Sequence, residues 1–156
     1  MGDSLVCLAT AADSDGQSID STASIVISNT APVLSNVSIT PNSNVTVAST
    51  LSCAASESDI DDDAVTLSYS WYNGGQLLGS GQSLTLSSSL AQNGDQIDCI
   101  VTATDAHGDT DTAQASVTVD NTPPTMPTVS ISPNPATTND TLVATASGSV
   151  DPDGGT

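Results

Sequence analysis

Gly94-Asp95-Gln96-Ile97-Asp98-Cys99-Ile100-Val101-Thr102-Ala103-Thr104-Asp105-Ala106-His107-Gly108 aligns without a gap onto Gly2-Asp3-Ser4-Leu5-Val6-Cys7-Leu8-Ala9-Thr10-Ala11-Ala12-Asp13-Ser14-Asp15-Gly16. The offset is 92 residues, from Gly2 to Gly94 and again from Cys7 to Cys99. The register continues through Ala23-Ser24-Ile25-Val26-Ile27 against Ala115-Ser116-Val117-Thr118-Val119, and Asn29-Thr30-Ala31-Pro32 against Asn121-Thr122-Pro123-Pro124. It reaches Val37-Ser38-Ile39-Thr40-Pro41-Asn42 against Val129-Ser130-Ile131-Ser132-Pro133-Asn134. A fixed period over that length marks an array of stacked units. The expected organisation is residues 1–28 as the C-terminal strands of one repeat, 29–120 as a complete repeat, and 121–156 as the N-terminal strands of a following repeat.

Both end pieces lack the equivalent of residues 65–92, which holds the chain's one Trp. Simple strand exchange between the two ends therefore cannot complete a unit, so they are supported by neighbours or by a longer chain, or remain loosely ordered. The opening Met1-Gly2-Asp3-Ser4-Leu5-Val6-Cys7 has neither a basic region nor an apolar core and does not read as a signal peptide. Met1 reads as a start placed inside a longer repeat.

Within 29–120 the alternation is of period two, and helical periodicity is absent. The pattern predicts strands over 37–40, 45–47, 50–55, 65–72, 83–86, 96–104 and 114–120. Inward residues would be Val37 and Ile39; Leu51, Cys53 and Ala55; Leu67, Tyr69 and Trp71; Leu84 and Leu86; Ile97, Cys99 and Val101; and Ala115, Val117 and Val119. Asn73-Gly74-Gly75 and Asn93-Gly94-Asp95 are tight-turn signals. Short strands at this spacing imply an all-β, two-sheet sandwich. Composition agrees: aromatic content is only 2 %, with no Phe, so the core must be built from small and β-branched side chains suited to narrow strands.

Charge removes whole classes of function. The chain has no Lys or Arg against 18 acidic residues, so phosphate backbones and anionic lipid find no cationic partner. Nucleic acid is excluded as a partner, and no apolar run reaches the roughly 18 residues that insertion into a membrane needs. What remains is a self-repelling surface that attracts divalent cations and offers trypsin no cleavage site.

The order Cys53, Trp71, Cys99 resembles the immunoglobulin-like Greek-key sandwich, with Cys on the second and sixth strands and Trp on the third. Ile97 stands where many members carry Tyr, so the corner hydrogen bond of that Tyr is absent. The fuller pattern is the Asn-Thr-Ala-Pro linker, Ile39-Thr40-Pro41-Asn42, Leu51-Ser52-Cys53, Tyr69-Ser70-Trp71 and Gly94-Asp95 ahead of Cys99. It is similar to the tandem immunoglobulin-like or PKD-like repeats of giant bacterial surface and extracellular proteins. The resemblance implies a Cys53–Cys99 bridge across the sheets and hence an oxidising, extracellular or cell-surface location; two buried free thiols are the alternative. Cys7 would pair with a partner in the preceding repeat, and Ala144, or Thr145 without a gap, occupies the position of Cys53 in the third.

Three acidic loops stand out: Glu57 to Asp63, Asp105 to Asp111, and Asp151 to Gly154. In such a sandwich the first two emerge at one end, where Asn29-Thr30-Ala31-Pro32 enters. Asp59, Asp61, Asp63, Asp105, Asp109, Asp111 and Asn29 would then form an oxygen cage for Ca²⁺, similar to cadherin-like junctions that calcium stiffens. The competing reading is that Asp favours turns and is simply solvated there, since no EF-hand spacing appears. His107 is the chain's one His, and a lone loop His is more often solvated than a ligand or catalyst.

No Gly-x-Ser-x-Gly, no phosphate-cradling loop and no oxyanion-binding cation is present, so the chain is not expected to be an enzyme. Asn36-Val37-Ser38, Asn44-Val45-Thr46 and Asn139-Asp140-Thr141 match the glycosylation triplet, which arises readily in Ser/Thr-rich chains. The expected function is a repeat module of an extracellular stalk, filament or adhesin, its partners being adjacent identical repeats or subunits and a host or cell-surface ligand further out. Two other readings stand beside it. One is an immunoglobulin-like module binding carbohydrate or protein, for which Tyr72 is the one candidate outward ring. The other is a filament subunit assembling by strand complementation.

Overall fold

The structure is a computed structural model and describes residues 2–154; the expectation for Met1 lies outside the described residues. The elements it contains are strands: β1 (Ser4–Ala12), β2 (Ser18–Val26), β3 (Val33–Thr40), β4 (Thr50–Ser58), β5 (Thr66–Asn73), β6 (Gln76–Ser80), β7 (Ser83–Thr85), β8 (Gln96–Thr104), β9 (Thr110–Thr118), β10 (Thr128–Ser132) and β11 (Val143–Ser147). No helix is long and apolar enough to cross a membrane.

Strands β3 to β9 make a two-sheet sandwich, with order β3-β4-β7 in one sheet and β6-β5-β8-β9 in the other, all neighbours antiparallel. The alternation read from sequence is what the sheets bury. Along β8, Ile97, Cys99, Val101 and Ala103 are buried, and the residues between them are at least partly exposed. Val117 and Val119 meet them from the β9 side, and Ile39, Leu51, Cys53, Leu84 and Leu86 from the other sheet. Val37, Ala55, Leu67, Tyr69 and Ala115 are half-buried and pack against this cluster.

Trp71 on β5 is fully buried at its centre, and its Nε1–H donates to the Gly81 carbonyl at 2.9 Å. That bond lets the largest side chain of the core sit in an apolar interior without stranding its donor. Beside it Cys53 of β4 and Cys99 of β8 are joined by a disulfide, S–S 2.10 Å, that ties the two sheets together.

Strand limits differ from expectation where local hydrogen bonding overrides alternation. Residues 45–47 are not a strand. Val45 and Val47 are buried, but the Thr46 N–H donates to Ser49 Oγ at 2.9 Å and the Ser49 N–H to the Thr46 carbonyl at 3.0 Å, closing a turn instead. β3 begins at Val33, since a bulge between Ser35 and Ser38, with Asn36 at φ 52°, breaks the alternation that marks its second half. β9 starts at Thr110 because it pairs with β8 along its whole length. β6 was not foreseen: it is an edge strand with Leu77 exposed, reached through the Gly74-Gly75 turn.

The flanking strands form two separate hairpins. β1 pairs with β2 from Ser4↔Val26 to Ala12↔Ser18, and β8 with β9 from Gln96↔Thr118 to Thr104↔Thr110. Every bound and every pair is thus shifted by the same 92 residues seen in the sequence. β10 pairs with β11 as β3 does with β4, Ile131 facing Ala144 where Ile39 faces Cys53. The register therefore places Ala144, not Thr145, at the position of Cys53.

Candidate metal centre

Two loops and one linker meet at one end of the sandwich. The β4–β5 loop carries Asp59, Asp61 and Asp63, the β8–β9 loop carries Asp105 and Asp109, and the linker before β3 carries Asn29 and Thr30. Each loop is wound by its own carboxylates. Asp59 Oδ1 accepts the Asp61 N–H at 2.8 Å, and Asp105 Oδ1 accepts the N–H groups of His107 and Asp109, both at 2.9 Å. Such bonds are the local reason Asp is used in these turns.

The linker then ties the loops together. Asn29 Nδ2 donates to Asp105 Oδ2 and to Asp109 Oδ2, each at 2.8 Å, and the Thr30 N–H donates to Asp61 Oδ2 at 2.7 Å. Carboxylates only accept, so the amide nitrogen must be the end of Asn29 that faces them. On the flank, His107 Nδ1 lies 3.0 Å from Asp63 Oδ2 and so carries its proton there, pinning one loop to the other.

Of the residues expected to converge, Asp59, Asp61 and Asp63 lie close enough for one oxygen of each to fall within 4.8 Å of the others. Asn29, Asp105 and Asp109 form an adjoining group held by hydrogen bonds. Asp111 takes a different part: its carboxylate accepts the N–H of Leu34 at 2.8 Å and of Thr112, fixing the start of β3 to β9. Alternation alone could have found this only had β9 been recognised as starting at Thr110.

The donor set fits a hard divalent cation. The side-chain oxygens Asn29 Oδ1 and Asp59 Oδ2 are buried without a hydrogen-bond partner. Buried polar atoms of this kind call for a partner, and the chain contains no Lys or Arg to supply one. An acidic cluster that could hold a metal is therefore present at Asp59, Asp61 and Asp63.

Asp105 sets the acid sensitivity of this end. Burial raises its carboxyl pKa, but the hydrogen bonds from Asn29 and from the backbone of Asp109, His107 and Gly108 together outweigh that and hold it below the usual carboxylate range. A depressed folded-state pKa contributes stability above the unfolded value of about 3.9, and that contribution is lost as pH falls through the folded value. Comparison of urea midpoints for wild type and Asp105→Asn should show a gap at neutral pH that closes below about pH 4. A gap independent of pH would mean the carboxylate's charge contributes nothing.

Other polar groups that sequence reading missed are structural. At the opposite end Asn73 Nδ2 donates to the Leu90 carbonyl at 3.1 Å and to Asp95 Oδ2 at 2.7 Å, holding the β7–β8 connection against β5. Tyr72, the one candidate for an outward sugar-stacking ring, is half-buried.

Residues 29–118 match the family model described as a bacterial Ig domain. Among solved structures, the PKD1 domain of Vibrio anguillarum Epp is similar, at 24 % identity over 60 % of this chain and 98 % of that chain, with a TM-score of 0.41. No curated protein matches.

Proposed function

The chain belongs to the bacterial Ig domain family, and from that premise we propose that it is a repeat module of an extracellular stalk, filament or adhesin, spacing domains end to end. Ig-like domains are generally structural or binding units rather than catalysts, and a disulfide within one is typical of surface and secreted proteins. The observation that carries the proposal is the β1–β2 hairpin, which repeats β8–β9 strand for strand at the 92-residue offset. In the sandwich, Ile97, Cys99 and Val117 of that hairpin are buried; their counterparts Leu5, Cys7 and Ile25 are exposed. An apolar face of that make suits a preceding module's strands, and a Cys in those strands would complete a bridge to Cys7. The Pro-containing linkers 29–32 and 121–124 act as short, stiff spacers.

At the joint, Ca²⁺ is the cation we assign to the Asp59–Asp61–Asp63 cluster with Asn29 beside it. It would lock the linker to both loops where Asn29 and Thr30 already bind, stiffening entry into the module. The expected result is a rise of several degrees in the unfolding temperature with about 2 mM Ca²⁺ over EDTA, abolished by Asp61→Asn. An equal unfolding temperature in both conditions would reduce the cluster to solvated turns. The spacer role has its own test in small-angle scattering of one, two and three copies of residues 29–120 in tandem. Maximum dimension should grow by about 40 Å per module; growth with the square root of module number would instead mean loose tethers.

A further inference from the structure

The turn built on Asp59 and Asp61 recurs 92 residues later on Asp151 and Asp153. The Asp153 N–H donates to Asp151 Oδ1 at 2.9 Å, and the Gly154 N–H to the Asp151 carbonyl at 3.2 Å, as Asp62 does to Asp59 at 3.4 Å. The Thr122 N–H donates to Asp153 Oδ2, as that of Thr30 does to Asp61. Turn geometry alone names no ligand.

Burial does. Asp153 retains only 9 % exposure, one of two charged residues of the described chain classed as buried. Its Oδ1 is buried without a hydrogen-bond partner, and so is Oγ1 of the adjoining Thr122. Asp105, the other buried carboxylate, differs here, for both its oxygens accept hydrogen bonds. A buried, half-satisfied carboxylate needs a compensating charge, and the sequence supplies no Lys or Arg. A bound cation meets that need, and two hard oxygens side by side, with the Asp151 carboxylate next to them, are the donors a calcium-like ion prefers.

We propose that Thr122, Asp151 and Asp153 form a second divalent-cation site, with Asp153 Oδ1 and Thr122 Oγ1 as its buried ligands and water completing the shell. The proposal deepens the reading of the Asp59–Asp61–Asp63 cluster and rests on it for the class of cation. Its consequence is a cation at each linker, spaced as the modules are spaced.

Calorimetric titration of the full chain with CaCl₂ tests it, scanned across about 0.1–1 mM, the range of extracellular calcium modules. Wild type should take up two ions per chain, and Asp153→Asn and Asp61→Asn one each. In nitrogen-edited NMR the Thr122 and Asp153 amides should shift with Ca²⁺ in wild type and in Asp61→Asn but not in Asp153→Asn. Trp71 lies in the central sandwich, so its near-ultraviolet signal reports that both variants keep that fold, and Asp151→Asn should repeat the loss. Unchanged uptake in Asp153→Asn, or a Thr122 amide indifferent to Ca²⁺ in wild type, overturns the second site. Unchanged uptake in Asp61→Asn with loss in Asp153→Asn overturns the first-cluster reading and leaves the second site standing.

Discussion

Replacing Cys53 and Cys99 together by alanine is expected to lower the unfolding free energy of the central sandwich by about 4 kcal/mol. The bridge closes a loop of 46 residues, and cross-linking a loop of that size removes roughly this much freedom from the unfolded chain. The effect is large because single domains of this size are held by only about 5–15 kcal/mol in total. It should appear as a fall in unfolding temperature of about 15–30 °C. Both sulfurs are fully buried between the sheets, so the double variant also loses packing that chemical reduction keeps. Denaturant titrations of the oxidised, reduced and double-alanine proteins separate the two contributions. A loss below about 1 kcal/mol on reduction would show that the bridge is not what restrains the unfolded chain.

Trp71→Ala carries the second large effect, about 3–5 kcal/mol from lost apolar burial and the cavity left behind. Removing the indole also leaves the Gly81 carbonyl without its donor, adding about 1–3 kcal/mol where the site stays dry. Trp71→Phe distinguishes these causes, since it keeps most of the apolar volume and removes the N–H. It should lie well between wild type and Trp71→Ala in circular-dichroism melts. If Phe proves as damaging as Ala, the hydrogen bond and not the packed volume dominates at this position.

Much of this fold was legible because a two-residue period and a long internal repeat are strong signals. The alternation along residues 96–104 matches the observed β8 to the residue, since a strand paired on both sides and buried on one face leaves little freedom in its sequence. The false strand at 45–47 and the late starts assigned to β3 and β9 have backbone causes. At 45–47 and in β3 the backbone's partners are set by a Ser side chain or a bulge, and at the start of β9 by pairing with the facing β8, none of which alternation reports. β6 escaped notice because an edge strand has one side free of packing and so little pattern to show.

The candidate metal site was legible only in part. Acidic loops at one end follow from the sandwich topology, but which carboxylates converge is decided by hydrogen bonds too local to see. Asp111 was drawn away by the Leu34 N–H, and Asn29 turned its nitrogen toward Asp105 and Asp109. The Asp153 loop carries only two acids, Asp151 and Asp153. Its interest comes from burial, which no single sequence states.

The place of the disulfide also fixes how far this sandwich can be drawn out by its ends. Cys53 and Cys99 enclose β5, β6 and β7 in a covalent loop, so tension applied at Asn29 and Thr118 travels through the sulfur bridge and never loads those strands. Of the residues between the two anchor points, only those outside the loop can pay out, about 150 Å at full extension instead of roughly 300 Å. The strand bearing Trp71 stays inside the tethered segment together with β6, so the β5–β6 hairpin keeps its pairing while β7 and β5 lose their partners β4 and β8.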